Sequence, residues 1–314
     1  MFILLTDELP VIELTYQIVM HENSNGKAPC VLASLTAGAL SGALAKTTIA
    51  PLDRTKINFQ VSRTKRYSFK SAVKFIRLTY QTEGFVALYR GNSATMARVV
   101  PYAALQFAAH ERLKYFLAVD KGGRTPGKRY IAGSTAGVVA TSITYPLDTA
   151  KACLSISSRK EYSSLLDVFV KISRERGFLS LYKGIFPTLV GVIPYAGSSF
   201  FTFESLKLMY KEEFGKTASA PYLLVFGAVA GLIGQTCSYP LDIVRRRMQT
   251  GRIPKEMGML QLLSHIATNE GIRNGLYKGL SMNWIKGPIA VGVSFTTYHM
   301  AFPFLSSFTQ SSDN

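Results

Sequence analysis

One hexapeptide pattern occurs three times in this 314-residue chain, at intervals of 95 and 94 residues. Pro51-Leu52-Asp53-Arg54-Thr55-Lys56, Pro146-Leu147-Asp148-Thr149-Ala150-Lys151 and Pro240-Leu241-Asp242-Ile243-Val244-Arg245 all read Pro-x-Asp-x-x-Lys/Arg. A long period kept three times means three copies of one unit, each completed by its neighbours. Other landmarks hold the same register: Gly38 and Gly42, Gly133 and Gly137, Gly227 and Gly231 before the proline, then Tyr89-Arg90-Gly91, Tyr182-Lys183-Gly184 and Tyr277-Lys278-Gly279 after it. The copies are expected at residues 29–120, 121–214 and 215–305, with a flexible leader at 1–28 and a tail at 306–314.

Each copy holds two apolar stretches. Those near 30–50, 130–147 and 221–241 contain no acid and only Lys46 as a base. A helix of ~20 residues crosses a ~30 Å hydrocarbon core, so these read as membrane spans. Those near 93–117, 187–209 and 282–305 are rich in Gly, Pro and aromatics, which membrane helices tolerate better than soluble ones. Between the two spans lies a basic amphipathic segment such as Ser71–Arg77, suited to a helix on the membrane surface. The expected fold is therefore an all-α membrane protein. Six transmembrane helices in three tandem pseudo-symmetric repeats surround a central cavity, with short surface helices between the two spans of each repeat. A soluble helical repeat would show charged faces along its helices, which the first stretches lack.

Ionisable groups at membrane depth must pair or face water. Asp and base at i and i+3 share a helical face, so threefold pseudo-symmetry lets each carboxylate meet the next copy's base: Asp53 with Lys151, Asp148 with Arg245, and Asp242 with Lys56. A second set lies at the other end. Glu111 can meet Lys207, whereas Glu204 faces Phe302 and Lys114 faces His299, leaving this outer ring incomplete. Two rings about one cavity are the parts of an alternating-access transporter.

Residues that occur once report on an asymmetric solute. Lys46 corresponds to Thr141 and Gln235, and Arg98 to Gly191 and Lys286, so Lys46, Arg98 and Lys286 form an asymmetric set of mid-membrane bases. Their expected ligand is phosphate or carboxylate, because bases unpaired at that depth await an anion. Gly191, Val192 and Tyr195 offer room and a flat face for a heterocycle, which suggests a nucleotide. A net charge of +17 agrees with an anionic partner.

From residue 30 onward the chain resembles the mitochondrial carrier family, through the threefold signature above. The resemblance implies the inner mitochondrial membrane, a matrix gate of Asp53, Lys56, Asp148, Lys151, Asp242 and Arg245 braced by Gln60 and Gln249, and bound cardiolipin. It also implies a cytoplasmic gate of Glu111, Lys114, Glu204 and Lys207. Two elements depart from the family pattern: Ser155 stands where a third bracing glutamine belongs, and Arg176-Gly177 replaces the acidic-glycine element seen as Glu83-Gly84 and Glu270-Gly271. Within the family, Ala45–Lys56, Arg90–Met96, Gly191–Gly197 and Leu280–Gly292 are similar to carriers of coenzyme A. That similarity implies exchange of coenzyme A and adenosine 3′,5′-bisphosphates for matrix adenine nucleotides such as ADP, by a monomer, with no cofactor.

An ATP-Mg/phosphate or ADP/ATP exchanger remains the alternative. Arg245-Arg246-Arg247-Met248-Gln249-Thr250 departs from the ADP/ATP carrier's Arg-Arg-Arg-Met-Met-Met, and no calcium-binding loop precedes the first span. A basic nucleic-acid-binding protein would gather its bases on one accessible face. Cys30, Cys153 and Cys237 are isolated and expected to be buried, with no zinc or disulfide pattern, and no catalytic constellation or metal site is visible.

Overall fold

The computed structural model describes residues 31–310 apart from 65–66, 119–125, 159–160, 217, 252 and 254–256. The expected leader, Cys30 and residues 311–314 lie outside the described residues. Among the described residues the order is α1 (Val31–Val61), α2 (Phe69–Glu83), α3 (Asn92–Phe116), α4 (Pro126–Ile156), α5 (Leu165–Arg176), α6 (Ile185–Phe214), α7 (Ala220–Thr250), α8 (Met259–Glu270) and α9 (Leu280–Gln310). Each copy thus contributes a long helix, a short one and a second long one. The last helix reaches Gln310, past the boundary expected at 305.

The six long helices have 25 to 31 residues, enough to cross a bilayer at ~1.5 Å per residue. The first helix of each copy does not end at its proline: α1, α4 and α7 run through Pro51, Pro146 and Pro240 for ten more residues or so. That carries the charged hexapeptide into the helix interior. On mean hydropathy alone, only Phe178–Phe214 and Tyr222–Thr250 are apolar enough for spans among the described residues. The others dilute their average with inward polar faces. Lys46, Asp53, Arg98, Asp148 and Lys286 are buried, while Leu44, Val100, Phe107, Ile143, Ile193, Phe201, Val225 and Phe295 are exposed. A polar interior inside an apolar exterior suits lipid rather than water. Cys153 is buried as expected, but Cys237 is exposed on this apolar exterior.

The long helices pack chiefly on the neighbouring copy: α3 on α4, α6 on α7, and α9 back on α1, which closes the ring. Between them, α2 and α5 start at serine caps, where Ser68 Oγ accepts from Ser71 N (3.1 Å) and Ser164 Oγ from Asp167 N (3.2 Å). Their inner faces bury Ala72 and Thr79, and Val168 and Ile172. The glycine ahead of each second span is needed twice over. Gly184 has φ +92°, and a Cβ there would lie 2.9 Å from Tyr145 Oη and 3.0 Å from the Arg245 carbonyl. Helix α6 can begin that close to α4 and α7 only without a side chain.

Candidate functional site

The charged hexapeptides meet where α1, α4 and α7 converge. Lys56 Nζ lies 3.0 Å from Asp242 Oδ2, Lys151 Nζ 3.5 Å from Asp53 Oδ2, and Arg245 Nη2 2.5 Å from Asp148 Oδ2. All three expected cross-copy pairs are present, so the ring is closed. Its joints are unequal. Asp148 also accepts from Gln249 Nε2 (2.6 Å), and Arg246 Nη1 lies at 3.5 Å. Asp242 accepts from Gln60 Nε2 at 2.9 Å. At the third joint, Ser155 Oγ donates back to the Lys151 carbonyl (2.8 Å) instead of bracing Asp53.

The asymmetric bases are placed differently from expectation. Arg98 and Lys286 do not stand unpaired: Arg98 Nη1 lies 3.2 Å from Asp148 Oδ1, and Lys286 Nζ 3.1 Å from Asp53 Oδ1. Both are buried, and a buried cation without an anion nearby takes the nearest carboxylate. Six bases, Lys56, Lys151, Arg245, Arg98, Arg246 and Lys286, therefore crowd three carboxylates. Lys46 is buried above them beside a recess that also touches Asp53 and Lys151.

On α6, Tyr195 is buried and Val192 half-buried. The Cβ direction of Gly191 points to Leu241 Cβ at 3.6 Å, so the room this glycine leaves lies against α7. Tyr195 in turn packs on Gly234, where an added Cβ would lie 3.3 Å from its ring.

The outer set is open. Lys114 Nζ pairs with Glu111 (3.2 Å) and Lys207 Nζ with Glu204 (3.1 Å), each within its own helix. The expected Glu111–Lys207 pair is not formed. Spacing of i, i+3 satisfies each charge locally, and these side chains are about half exposed, so nothing forces a partner across the mouth.

Several functional-looking residues escaped the sequence reading. Arg246 bridges two joints, with Asp148 at 3.5 Å and Asp242 at 3.8 Å; its position, Ile57 and Ala152 elsewhere, marks it as asymmetric. Tyr145 and Tyr239, just before their prolines, carry Arg245 and Lys56 over their rings at 6.0 and 5.5 Å. Arg54 and Arg247, both buried, are held by Glu83 and Glu270 of the acidic-glycine elements. In the middle copy Arg176 lies against Gly251 instead. Among the described residues, no group of three His, Cys, Asp or Glu side chains can hold a metal.

Three stretches, residues 28–121, 123–214 and 216–308, match the family described as mitochondrial carrier protein. The chain is 54% identical to a human protein named mitochondrial coenzyme A transporter SLC25A42 over 277 residues, covering 86% of this chain and 87% of that protein. It is 50% identical to the Xenopus tropicalis protein of the same name, over 94% and 92%. It is 41% identical to mouse solute carrier family 25 member 16, over 87% and 88%. With a closed charged ring at one mouth, three copies around one axis and matches spanning nearly its whole length, the chain belongs to the mitochondrial carrier family.

Proposed function

We propose that this protein exchanges coenzyme A, and adenosine 3′,5′-bisphosphates, for matrix adenine nucleotides across the inner mitochondrial membrane by alternating access. The substrate rests on relatives named coenzyme A transporters that align over most of both chains. One observation in the site supports the mechanism: Arg98 and Lys286 occupy ring carboxylates, Asp148 and Asp53, that belong to the closed mouth.

A solute carrying phosphates competes for these bases. Its diphosphate draws Arg98 from Asp148 and Lys286 from Asp53, with charge-assisted contacts replacing those lost. The adenine lies against Val192 and Tyr195 on α6. Each carboxylate then keeps fewer attachments across its joint, and the ring separates as the other mouth closes, where Glu111 and Lys207 leave their half-exposed local pairs to meet each other. The solute thereby binds the transition between the two states better than either closed ring alone, which is what drives exchange. Asp148 keeps Arg245, Arg246 and Gln249 when Arg98 is removed, so folding survives that substitution.

The test is uptake of labelled coenzyme A into ADP-loaded liposomes holding wild type, Arg98→Gln or Lys286→Gln. Losing one charge-assisted contact, ~1.5–3 kcal/mol, lowers apparent affinity roughly 10- to 150-fold. Wild-type uptake of ADP and ATP without coenzyme A would replace this reading with a nucleotide exchanger.

A further inference from the structure

The three joints of the ring are built from equivalent positions, and two are filled alike. At the α4–α6–α7 joint, Tyr145 Oη accepts from Gln249 Nε2 (3.1 Å) against Gly184. At the α7–α9–α1 joint, Tyr239 donates to the Lys278 carbonyl (2.8 Å) beside Gly279, and Gln60 braces the ring. At the α1–α3–α4 joint the tyrosine is Ala50 and the glutamine is Ser155. The residue after the glycine, Ile185 and Leu280 elsewhere, is Asn92. Two large side chains are missing and one apolar side chain has become polar, all at one joint.

A recess occupies that joint, lined by Ala50, Asn92, Thr95 and Ser155, with Lys46 and Lys151 at its side. Arg54 and Arg90 also line it. Their guanidinium groups are engaged, Arg54 with Glu83 and the Ser155 carbonyl and Arg90 with the carbonyls of Leu154, Ser158 and Tyr162. They therefore contribute potential rather than donors. Four bases against the single carboxylate of Asp53 make the recess electropositive. Lys46 is itself asymmetric, as is Arg54, whose counterparts are Thr149 and Ile243, so both bases found only in the first copy line the joint that departs from the other two.

We infer that this recess is a subsite for a phosphate monoester of the solute, separate from the diphosphate held by Arg98 and Lys286. Its donors are the further N–H groups of the Lys46 and Lys151 ammoniums and of the Asn92 amide, of which Lys151 also reaches Asp53 and Asn92 also reaches Thr47 Oγ1, and the Thr95 hydroxyl, which turns from a long 3.4 Å contact with the Gly91 carbonyl. The inference rests on the proposed function, since coenzyme A carries such a group, its 3′-phosphate, and ADP does not. Selectivity between them thus resides in a joint that departs from the symmetry of the scaffold.

The experiment measures uptake of labelled coenzyme A and of dephospho-coenzyme A, which lacks only the 3′-phosphate, into ADP-loaded liposomes. Wild type is compared with Ala50→Tyr and Ser155→Gln, which restore the residues accommodated at the other two joints, and with Thr95→Val, which removes a hydroxyl with little change in volume. Wild type is expected to favour coenzyme A by about 10-fold or more, as for one charge-assisted contact, and each filling variant to bring the ratio toward one. The ratio is internal to each variant, so a loss of folded protein cancels. Should both filling variants be inactive, a several-fold fall in the Thr95→Val ratio decides for the recess and an unchanged ratio against it. A wild-type ratio near one, or filling variants that slow both solutes equally, overturns the subsite while leaving coenzyme A transport standing. A wild type that moves ADP but neither form of coenzyme A overturns the proposed function. The recess is then judged by whether adenosine 3′,5′-bisphosphate competes with ADP uptake better than 5′-AMP does; equal competition overturns it.

Discussion

Replacing Asp148 by Asn removes one negative charge from the most crowded joint of the ring and keeps the side chain's shape and one acceptor oxygen. In the structure that carboxylate holds Arg245 at 2.5 Å, Arg98 at 3.2 Å and Arg246 at 3.5 Å, with both Asp148 and the three guanidinium groups buried. A guanidinium cannot shed its proton when its counter-charge disappears, so the variant takes this carboxylate from Arg245 and Arg98 and leaves Arg246 with Asp242, 3.8 Å away. Breaking a buried pair costs about 3–5 kcal/mol. At ~2–4 °C per kcal/mol, thermal unfolding of the purified protein is expected roughly 6–20 °C lower. Asp53→Asn is the internal comparison. Its neighbours are two lysines, Lys286 at 3.1 Å and Lys151 at 3.5 Å, so fewer cations lose a counter-charge. The smaller loss belongs to Asp53→Asn, with Asp242→Asn between the two. An Asp148→Asn melting temperature within 2 °C of wild type, or a larger loss at Asp53, would refute the graded ring.

Other consequences are quicker to check. Glu270→Gln leaves the buried Arg247 guanidinium without its carboxylate and should lower the melting temperature by several degrees, whereas Glu111→Gln, from a half-exposed pair worth about 0–1 kcal/mol, should barely move it. Reversing Asp148 or Arg245 alone should abolish exchange, and reversing both should restore part of it, because the coupling depends on opposite sign; additive loss would count against the pair. The Asp167 carboxyl at the start of α5 is held below its ordinary range first by the Ser163 backbone N–H and then by Lys171. A depressed acid stabilises the fold above its unfolded value and loses that effect as pH falls through the folded one. Amide exchange in the first turn of α5 should therefore accelerate below about pH 4 in wild type and show no such step in Asp167→Asn.

The ring was legible because three copies of Pro-x-Asp-x-x-base place one acid and one base on each first helix, and each carboxylate needs only to reach the base of the next copy. Side-chain reach within the cavity was not legible. Arg98 and Lys286 lie well away in sequence from Asp148 and Asp53, and only the assembled bundle shows that they rest on those carboxylates. The outer pairs were ambiguous from the start, since Glu111 and Lys114 at i, i+3 fit a local pair as well as a cross-copy one. The extent of the first helices was not legible from hydropathy, because the apolar stretches stop near the prolines while the helices run about ten residues past them. The emptied joint was visible in part: Ser155 stood out as a missing brace, but Ala50 and Asn92 gained meaning only when the fold brought them to the same recess.

The central claim, obligatory exchange of coenzyme A for an adenine nucleotide, is tested most directly by measuring labelled coenzyme A uptake into liposomes that contain the purified protein and either ADP or no solute. A ring that reopens only when a phosphate-bearing solute takes Arg98 and Lys286 predicts rapid uptake with internal ADP and almost none without it. Equal uptake into empty and ADP-loaded liposomes, or no coenzyme A uptake while ADP still exchanges, would contradict it.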